Sequence, residues 1–577
     1  MRRICLLVLA CLIGFSSEAR KREIQLSLYE TSDVHGAFFP YDFIDRKPMA
    51  GSLARVANYV KRQRAERGND RVVLLDNGDI LQGQPSAYYY NFIDTTSTHL
   101  CAAIMNYMQY DAGTVGNHDV ETGHAVYDRW VKDCQFPLLG ANAVRTDNHA
   151  PYWKPYTLIE RQGLRIAVMG MITPGVPNWL PNDLWRGMTF EDIKATASRW
   201  MQVVREKEKA DLVVGLFHSG MGKAEQKYPK ADNAAQYVAR EVPGFDIIFC
   251  GHDHREACRK VVNTAGDSVL IVNPGASALY LAAADVKVKL KGKKVEDVEV
   301  KGYLVDMHDV EPDADFCQTF QPQEKEVRDF TEKVIGHSTQ TLETRPAFFG
   351  PSAFIDFIHS LQLSIGNADI SFSAPLSFDA AIPAGDIRVS DMFNLYKYEN
   401  LLYVMRLSGK EVKDYLEFSY ANWTQQMQQA DDHLLLFNPK TLHSPDAWQR
   451  LKHSSYNFDS AAGICYTVDV TKPAGQKITI LSMADGKPFS LEAHYRVAVN
   501  SYRGNGGGGH LTQGAGIPKD QLSQRIVWTT EKDLRYYLMQ EIIRLGQVNP
   551  QPLNQWRFIP EDWAKAASER DAQLLFK

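Results

Sequence analysis

Short apolar runs alternate with segments of helical period from residue 23 to about residue 275. Residues 52–67 and 193–210 carry apolar side chains at the spacing of one helical face. The runs between such segments are apolar at nearly every position, which is typical of strands that are buried on both faces of a sheet. The pattern predicts an α/β layered domain whose strands include these runs: IQLSLYE, RVVLLDNGD, LRIAVMGM, ADLVVGLFHS, FDIIFCGHD and SVLIVNPGA.

Two charged segments mark the end of this domain. Residues 286–300 (VKVKLKGKKVEDVEV) alternate apolar and charged side chains with period two, which predicts an exposed hairpin that completes the sheet. Residues 321–342 (QPQEKEVRDFTEKVIGHSTQTL) are polar and charged and predict a helical linker. We therefore expect a first domain over residues 20–325, a helical linker over 326–345 and a second domain over 346–577.

The second half of the chain mixes short strands and helices, which predicts an α+β domain. The stretch TEKD at residues 530–533 predicts a capping box that opens a helix extending to Leu545. Residues 409–420 form another helical pattern, in which four side chains face inward: Val412, Tyr415, Leu416 and Ser419.

The chain has 577 residues, of which 44% are hydrophobic and 23% charged, and this predicts two or more soluble globular domains. Residues 1–19 (MRRICLLVLACLIGFSSEA) combine two arginines, an apolar run and small residues, which predicts a signal peptide and export to the periplasm or the medium. Cys11 allows a lipoprotein anchor as an alternative, but Val8, Leu9 and Ala10 match that motif poorly. No later run in the sequence is long and apolar enough to predict a membrane span.

Charge and cysteine content exclude some classes of protein. Without residues 1–19 the chain has a net charge of about −6, which argues against binding to nucleic-acid polymers or anionic membranes. Six cysteines remain, and because they are spread thinly we expect buried free thiols rather than a disulfide framework.

Side chains of metal-ligand type follow five of the predicted strands. One histidine at a strand end is more often an ordinary hydrogen-bonded residue, but α/β sheets bind ligands at the carboxyl ends of strands, and five such ends favour a metal site. In the Asp-x-His and His-x-His pairs the spacing is two, and in extended chain such residues point the same way. The set suits two divalent cations that share one carboxylate: Asp33, His35, Asp79, Asn117, His218, His252 and His254.

The segments DVH, GD, GNHD, LFHSG and GHDH, in this order, resemble the calcineurin-like metallophosphoesterases. The resemblance implies a four-layer α/β/β/α sandwich over residues 23–278. It also implies two divalent metal ions, which could be Zn, Mn, Co or Fe. By the family pattern the ligands divide between the metals as follows: Asp33, His35 and His254 on one, Asn117, His218 and His252 on the other, and Asp79 bridging.

His118 lies within GNHD, and the family pattern leaves it free of metal to face the substrate. There it would stabilise charge on the phosphoryl oxygens or protonate the leaving oxygen, while a carboxylate orients its imidazole. Glu121 matches the position of the family's acidic partner, and Asp119 is the rival. The alternative for Asp119 is that it only caps the turn.

Three segments of the second half resemble the C-terminal domain of the periplasmic 5′-nucleotidase superfamily, more narrowly its 2′,3′-cyclic-nucleotide 2′-phosphodiesterase/3′-nucleotidase branch. They are residues 392–419, residues 455–469 (SYNFDSAAGICYTVD) and residues 499–509 (VNSYRGNGGGG). In that branch two aromatic rings stack on the base, and Tyr456 and Tyr502 match them. Core packing is the alternative for both tyrosines, and Arg503 is expected as a further polar contact to the substrate.

Two details bear on the choice of substrate. Gly504, Gly506 and Gly509 formally fit the dinucleotide-binding pattern, but residues 510–520 predict a loop where that pattern needs a helix. Residues 371–377 (SFSAPLS) lack the arginine that typical 5′-nucleotidases carry near the start of this domain. The absence of this arginine favours the cyclic-phosphodiesterase and 3′-nucleotidase branch.

The resemblance implies an exported phosphohydrolase that converts 2′,3′-cyclic nucleotides and 3′-nucleotides to nucleoside and phosphate. We expect a monomer whose partner is a small nucleotide. Two alternatives stay open: a 5′-nucleotidase or UDP-sugar hydrolase of the same fold, and an extracellular nucleotide-binding module without catalytic activity. Because the substrate would contact both domains, a hinge near residues 325–345 is also expected.

Overall fold

The computed structural model of this protein describes residues 21–223, 225 and 231–577. The predicted signal peptide and Cys11 lie outside these residues. Within the described ranges, no helix combines the length and apolar character that crossing a bilayer requires. The six cysteines of the described chain are free, as the sequence predicts, but only Cys101 and Cys250 are buried.

Two six-stranded sheets form the centre of the N-terminal half. The first has the strand order β12-β11-β1-β2-β3-β4 and the second the order β9-β10-β8-β7-β6-β5. Both have parallel inner strands and antiparallel strands at one or both edges. The strands are β1 (Lys21–Thr31), β2 (Val72–Asp76), β3 (Ala112–Thr114), β4 (Leu138–Leu139), β5 (Tyr156–Arg161), β6 (Leu164–Ile172), β7 (Leu212–His218), β8 (Ile247–Cys250), β9 (Ala257–Val262), β10 (Ser268–Asn273), β11 (Tyr280–Lys291) and β12 (Lys294–Asp306).

The two sheets pack face to face, and helices cover their outer faces. Buried aliphatic residues such as Leu28, Val73 and Val214 fill the space between the sheets. The predicted four-layer α/β/β/α sandwich is confirmed, because apolar faces of helices pack on both outer sides. The helices on the first sheet are α1 (Leu53–Arg67), α2 (Leu100–Tyr107), α3 (His124–Asp133) and α6 (Ala314–Thr331), and those on the second are α4 (Ile193–Gln202) and α5 (Ala235–Glu241).

Several predicted elements of this half are confirmed with small changes at their ends. Ser52 caps α1 through its side chain, and the helix ends before Gly68. The helix predicted over 193–210 continues from α4 as a π-helical turn, Val203–Lys207, and ends there. Strands β11 and β12 form the predicted charged hairpin at the edge of the first sheet.

The segment predicted to be a helical linker is only partly helical. Helix α6 begins earlier than predicted, because Asp313 caps it and Phe316 and Phe320 pack on the first domain. The helix ends at Thr331, and a strand starts at residue 334, within the segment that was predicted to be helical. The first two apolar anchors of α6, Phe316 and Phe320, precede the charged segment, so the composition of that segment misplaced the start of the helix.

The C-terminal half is the predicted α+β domain. It is built on a five-stranded sheet. Its sheet has the order β17-β14-β20-β16-β21, beside the smaller sheets β15-β13-β22 and β19-β18-β23. The strands are β13 (Val334–Ser338), β14 (Ile370–Ser373), β15 (Gly385–Arg388), β16 (Leu401–Ser408), β17 (Ser460–Ala462), β18 (Ile464–Asp469), β19 (Ile478–Met483), β20 (His494–Asn500), β21 (Ile526–Asp533), β22 (Gln547–Val548) and β23 (Trp556–Ile559). The helices are α7 (Ala353–Gly366), α8 (Val389–Leu395), α9 (Gly409–Trp423), α10 (Leu534–Leu545) and α11 (Glu561–Phe576).

One predicted helix start is wrong. Residues 530–533 do not form a capping box, because they end strand β21. Thr530 Oγ1 accepts the backbone N–H of Leu402 at 2.9 Å within the sheet. Asp533 caps α10 instead, and its side chain accepts the backbone N–H of Tyr536 at 3.0 Å. The predicted end of this helix at Leu545 is confirmed, as is α9 with its four inward side chains.

Replacing the cap should therefore destabilise the protein. We expect Asp533→Ala to lower the free energy of unfolding by about 1 to 2 kcal/mol, because the first turn of α10 loses its side-chain acceptor. Glu531→Ala is the matched control and should change stability by less than about 0.5 kcal/mol, since Glu531 is exposed. Urea unfolding of both variants measures the difference, and an equal loss in both would contradict this assignment of the cap.

Candidate metal centre

All seven predicted ligands lie together where strands of the two facing sheets end. Two groups of ligand atoms form, each with its atoms within 4.8 Å of one another: Asp33, His35 and His254 in one, and Asp79, His218 and His252 in the other. Asn117 joins the second group, with its Oδ1 3.2 Å from His218 Nε2. The division matches the predicted division, with Asp79 on the side of the second group.

The backbone at this centre is not extended, so the reasoning from side-chain alternation in strands is wrong. Five of the seven predicted ligands have φ between 50° and 71°, in the left-handed region that residues with a Cβ seldom adopt: Asp33, His35, Asp79, His252 and His254. As a consequence His252 and His254 point into different groups, although their spacing is two. Such conformations persist only where the surrounding structure holds them, and they cluster at functional sites.

A glycine allows a close approach to Asp79 within the centre. A Cβ on Gly116 would lie 2.1 Å from Asp79 Oδ1. No side chain fits at that distance, which explains why glycine precedes the Asn-His-Asp segment. The segment begins a short helix, Asn117–Glu121, whose first turn faces Asp79.

Hydrogen bonds to the main chain fix the orientation of two of the histidines. His35 Nδ1 lies 2.9 Å from the carbonyl oxygen of Gln82, and His218 Nδ1 lies 2.7 Å from that of Asn77. A carbonyl oxygen only accepts, so each Nδ1 carries the hydrogen. The lone pair of each Nε2 therefore points into the centre, which is the arrangement that metal-binding histidines adopt.

The atoms that converge here fit divalent cations. His35 Nε2 and His254 Nε2 lie 3.1 Å apart, and His254 Nε2 lies 3.3 Å from Asp33 Oδ1. Asp79 Oδ2 is fully buried, and His218 Nε2 lies 3.1 Å from it. Lone pairs facing one another at these distances repel unless a positive charge lies between them, and this mixed nitrogen and oxygen set suits Zn, Mn, Co or Fe.

The local electrostatics at Asp33 and His35 favour the protonation states that metal ligands need. Burial alone would raise the pKa of Asp33, but the close contact with His254 and the other nearby imidazoles outweigh it and lower the pKa to about 2. Burial lowers the pKa of His35 to about 4, and the neighbouring His254 adds to this shift. At neutral pH Asp33 is therefore charged and His35 neutral, as metal binding requires.

Glu121, and not Asp119, orients His118. His118 Nδ1 lies 2.5 Å from Glu121 Oε2, and the backbone N–H of His118 donates to Asp79 Oδ1 at 2.8 Å. Burial would lower the pKa of His118, but the carboxylates of Asp79 and Glu121 outweigh it and raise the pKa to about 9.

The prediction of Asp119 as a rival partner is wrong. Its carboxylate is fully buried and accepts backbone N–H groups of Gly116, Asp79, Ile80 and Leu81 at 2.8 to 2.9 Å. Both carboxylate oxygens of Asp119 therefore already accept two hydrogen bonds each, and neither is available to His118. Asp119 caps the turn, which was the alternative offered by the sequence.

A cavity of about 300 Å³ lies between the two domains, next to the second ligand group. His118, Glu121 and His252 line it from the first domain. Tyr456 and Tyr502 line it from the second domain, so the alternative that both tyrosines pack in the core is wrong. The side chain of Tyr456 is 38% exposed, as expected of a ring that faces an open cleft.

Arg503 does not offer a contact to the substrate, and that prediction is wrong. Its side chain is 3% exposed and pairs with buried Asp459 through Nε and Nη2, at 2.8 and 3.1 Å. The remaining N–H groups bond to Asn457 Oδ1 and to the carbonyl oxygens of Tyr456 and Gly507, at 2.6 to 3.1 Å. All five donors are used. Arg503 thus ties the loop of Tyr456 to the loop that follows Tyr502.

The glycine-rich segment after Tyr502 packs against that ring. A Cβ on Gly507 would lie 2.5 Å from the Tyr502 ring. Residues 510–520, predicted as a loop, include a π-helical turn, His510–Gly514, and a 3₁₀ turn, Lys519–Gln521. Both turns are too short to be the helix of a dinucleotide-binding motif, so this motif stays excluded.

Sequence analysis missed several residues of the cavity. Trp179 stacks on the ring of His252, with ring centroids 5.6 Å apart and an interplanar angle of 28°. Tyr398, Asn400 and Asn500 line the cavity from the second domain. Trp179 lies in a turn without motif or periodicity, and no signal in the sequence marks it. Tyr398 and Asn400 lie within residues 392–419, whose resemblance to the nucleotidase domain could have singled them out.

Removing the carboxylate of Asp79 should change the metal content. We expect metal-stripped protein to take up two equivalents of Mn²⁺ or Zn²⁺, and Asp79→Asn to lose at least one, because Asp79 supplies the only carboxylate of the second ligand group. Glu121→Gln is the control and should keep two equivalents, since its carboxylate bonds to His118. Metal analysis after desalting measures both, and two equivalents in Asp79→Asn would contradict the assignment.

Breaking the buried ion pair should affect folding. We expect Arg503→Leu to lower the free energy of unfolding by about 3 to 5 kcal/mol, because it leaves the Asp459 carboxylate buried without its cation. Arg345→Leu, which removes a surface pair with Asp379 at 2.7 Å, should cost less than about 1 kcal/mol. If Arg503→Leu kept full stability and only weakened substrate binding, Arg503 would be a substrate contact after all.

Comparisons with known proteins cover both halves of the chain. Residues 26–256 match the calcineurin-like phosphoesterase family, and residues 334–514 match the 5′-nucleotidase C-terminal domain. The trifunctional nucleotide phosphoesterase protein YfkN of Bacillus subtilis is 28% identical over 94% of this chain, which spans 40% of that protein's length. The 2′,3′-cyclic-nucleotide 2′-phosphodiesterase/3′-nucleotidase of Yersinia enterocolitica is 26% identical over 96% of this chain and 91% of its own.

Solved structures share the fold over nearly the whole chain. A Staphylococcus aureus protein in complex with alpha-ketoglutarate superposes with a TM-score of 0.76 at 22% identity. The 5′-nucleotidase precursor from Thermus thermophilus superposes with a TM-score of 0.62 at 20% identity. Each comparison covers 93% of this chain and 100% of the other. This chain therefore combines a calcineurin-like phosphoesterase domain with a 5′-nucleotidase C-terminal domain.

Proposed function

We propose that this protein is a two-metal phosphohydrolase that converts 2′,3′-cyclic nucleotides and 3′-nucleotides to nucleoside and phosphate. One observation supports this proposal above the others: a single cavity is lined by His118 and His252 from the metal centre and by Tyr456 and Tyr502 from the second domain. A nucleotide has a phosphate at one end and an aromatic base at the other. It can therefore reach both sets of residues at once.

The ligand residues would hold two divalent cations. Two such cations supply Lewis-acid activation of the phosphoryl group and of water. The proposed division is the one the sequence predicts, with Asp79 shared: Asp33, His35 and His254 on one cation, and Asn117, His218 and His252 on the other. Zn, Mn, Co and Fe all suit these ligands.

His118 would transfer the proton. Glu121 accepts the hydrogen of His118 Nδ1, which leaves Nε2 to face the cavity. In the first reaction water attacks phosphorus, the bond from phosphorus to O2′ breaks, and His118 donates a proton to O2′. In the second reaction the bond to O3′ breaks in the same way, and phosphate and nucleoside are released.

Tyr456 and Tyr502 would bind the base by stacking. Every base has a π-face, so stacking on tyrosine accepts purines and pyrimidines alike, with about 1 to 3 kcal/mol for each ring. The contacts of Arg503 with both loops hold the rings at the cavity wall. Broad tolerance for the base follows from this arrangement.

A 5′-nucleotidase or UDP-sugar hydrolase activity is the second candidate. A 5′-nucleotidase of Vibrio cholerae is 24% identical over 84% of this chain, which supports it. Residues 371–377, which lack the arginine of typical 5′-nucleotidases, count against it. A binding module without catalysis is disfavoured because every expected ligand residue is present and correctly grouped. Export and a monomeric state remain part of the proposal, supported for export by the pattern of residues 1–19.

A parallel substrate assay tests the proposal. Metal-stripped protein is resupplied with Mn²⁺ or Zn²⁺ and incubated with 2′,3′-cyclic AMP, 3′-AMP and 5′-AMP. We expect the first two to release adenosine and phosphate at least tenfold faster than 5′-AMP, and the metal-stripped protein to be inactive.

Two controls make the outcome specific. The monophosphate formed from the cyclic substrate is identified, and 3′-AMP is expected because the bond to O2′ breaks first. Glu121→Gln should retain metal and lose most of kcat, because the acceptor of the His118 Nδ1 hydrogen loses its negative charge. Faster turnover of 5′-AMP would support the second candidate, and no turnover of any nucleotide by fully metallated protein would contradict both.

A further inference from the structure

A carboxylate outside the ligand set contacts His252. Asp232 Oδ1 lies 2.9 Å from His252 Nε2, in the segment between β7 and α5. We propose that Asp232 is a positioning residue that holds His252 in the tautomer whose Nδ1 binds the second cation. This inference rests on the metal centre of the proposed function and adds a residue that neither the sequence pattern nor the family resemblance marks.

The direction of the hydrogen bonds identifies the tautomer. The backbone N–H of Gly175 donates to Thr173 Oγ1 at 3.1 Å, so the hydroxyl hydrogen of Thr173 is free to be donated elsewhere. It is donated to Asp232 Oδ1, which lies 2.5 Å away. A carboxylate only accepts, so His252 Nε2 must be the second donor to the same oxygen. His252 Nδ1 is then left with its lone pair, which is what a cation requires.

Two neighbouring strands hold Asp232 in place. Its carbonyl oxygen accepts the hydroxyl of Ser219 at 2.6 Å, and the same hydroxyl oxygen accepts the backbone N–H of Ala234 at 2.9 Å. Ser219 directly follows the ligand His218 at the end of β7. Thr173 directly follows β6, which pairs with β7 in parallel. The carboxylate is therefore fixed by the same strand ends that carry the metal ligands.

The tautomer of His252 depends on a side chain, whereas the tautomers of His35 and His218 depend on the main chain. His35 and His218 are held by main-chain carbonyl oxygens, which no substitution removes. Trp179 stacks on the ring of His252 and sets its plane, but stacking does not choose between the two tautomers. The choice of tautomer falls to Asp232. A carboxylate behind a ligating imidazole also makes the imidazole a stronger donor to the metal.

Metal binding by Asp232→Asn tests the inference without any nucleotide. Co²⁺ and Mn²⁺ are titrated into metal-stripped protein by calorimetry, and the visible absorption of Co²⁺ reports on the coordination of each site. We expect one of the two sites to weaken about 10- to 100-fold and the other to stay within threefold of wild type. The absorption from the weakened site should change as well, since its imidazole is no longer held.

Matched variants separate positioning from a general effect on folding. Asp128→Asn breaks another Asp–His contact of the same domain, at 3.3 Å from His124, and should leave both affinities unchanged. Asp232→Glu keeps a carboxylate and should recover most of the lost affinity. Thermal unfolding of the metal-free variants checks that each is folded.

Two results would overturn the inference: wild-type affinity at both sites in Asp232→Asn, or equal losses in Asp232→Asn and Asp232→Glu, which would point to packing. Failure of the proposed function gives a different outcome. In that case wild type and Asp232→Asn would both bind metal as described and neither would hydrolyse nucleotides.

Discussion

The convergence of lone pairs at the ends of facing strands is the constraint on which the rest of this structure depends. Nitrogen and oxygen acceptors lie about 3 Å apart, and some of them are fully buried. Buried acceptors in such contact are unfavourable without a positive charge between them. Five of the ligands also adopt left-handed backbone, at roughly 1 to 3 kcal/mol each. The fully packed sandwich core supplies the stability that offsets this strain.

In the proposed function, chemistry and recognition are divided between the domains. The first domain contributes the ligands and His118, which sit on strand ends and a short helix that the sheet holds rigidly. The second contributes tyrosine rings on loops, and the buried pair of Arg503 and Asp459 gives those loops a fixed position. Polar contacts such as Arg46 with Asp391 and Tyr88 with Asp533 join the domains at 3.3 to 3.5 Å. The buried ring of Tyr88 also packs on Phe393, with ring centroids 5.4 Å apart, so the contact between the domains is partly apolar.

Features that repeat along the sequence could be predicted, whereas residue roles that depend on a single side-chain contact could not. The parallel strands repeat the same apolar pattern, and residues of ligand type recur at their ends, so the fold of the first domain and the proximity of the seven candidate ligands could be predicted. The roles of Glu121 and Asp119 depend on which carboxylate points at His118, and spacing alone does not give that direction. Arg503 was assigned to the substrate because its burial against Asp459 has no signature in sequence. Trp179 and Asp232 lie in irregular segments, where neither periodicity nor motif identifies a residue.

The most direct test of the central claim is the affinity of adenosine for three forms of the metallated protein, measured by calorimetry: wild type, His118→Asn and Tyr502→Ala. If recognition and chemistry are divided as described, Tyr502→Ala weakens adenosine binding about tenfold or more, because one stacking face is lost. His118→Asn binds adenosine within twofold of wild type while losing turnover. Equal affinity in wild type and Tyr502→Ala would contradict the account, since the base would then be bound elsewhere.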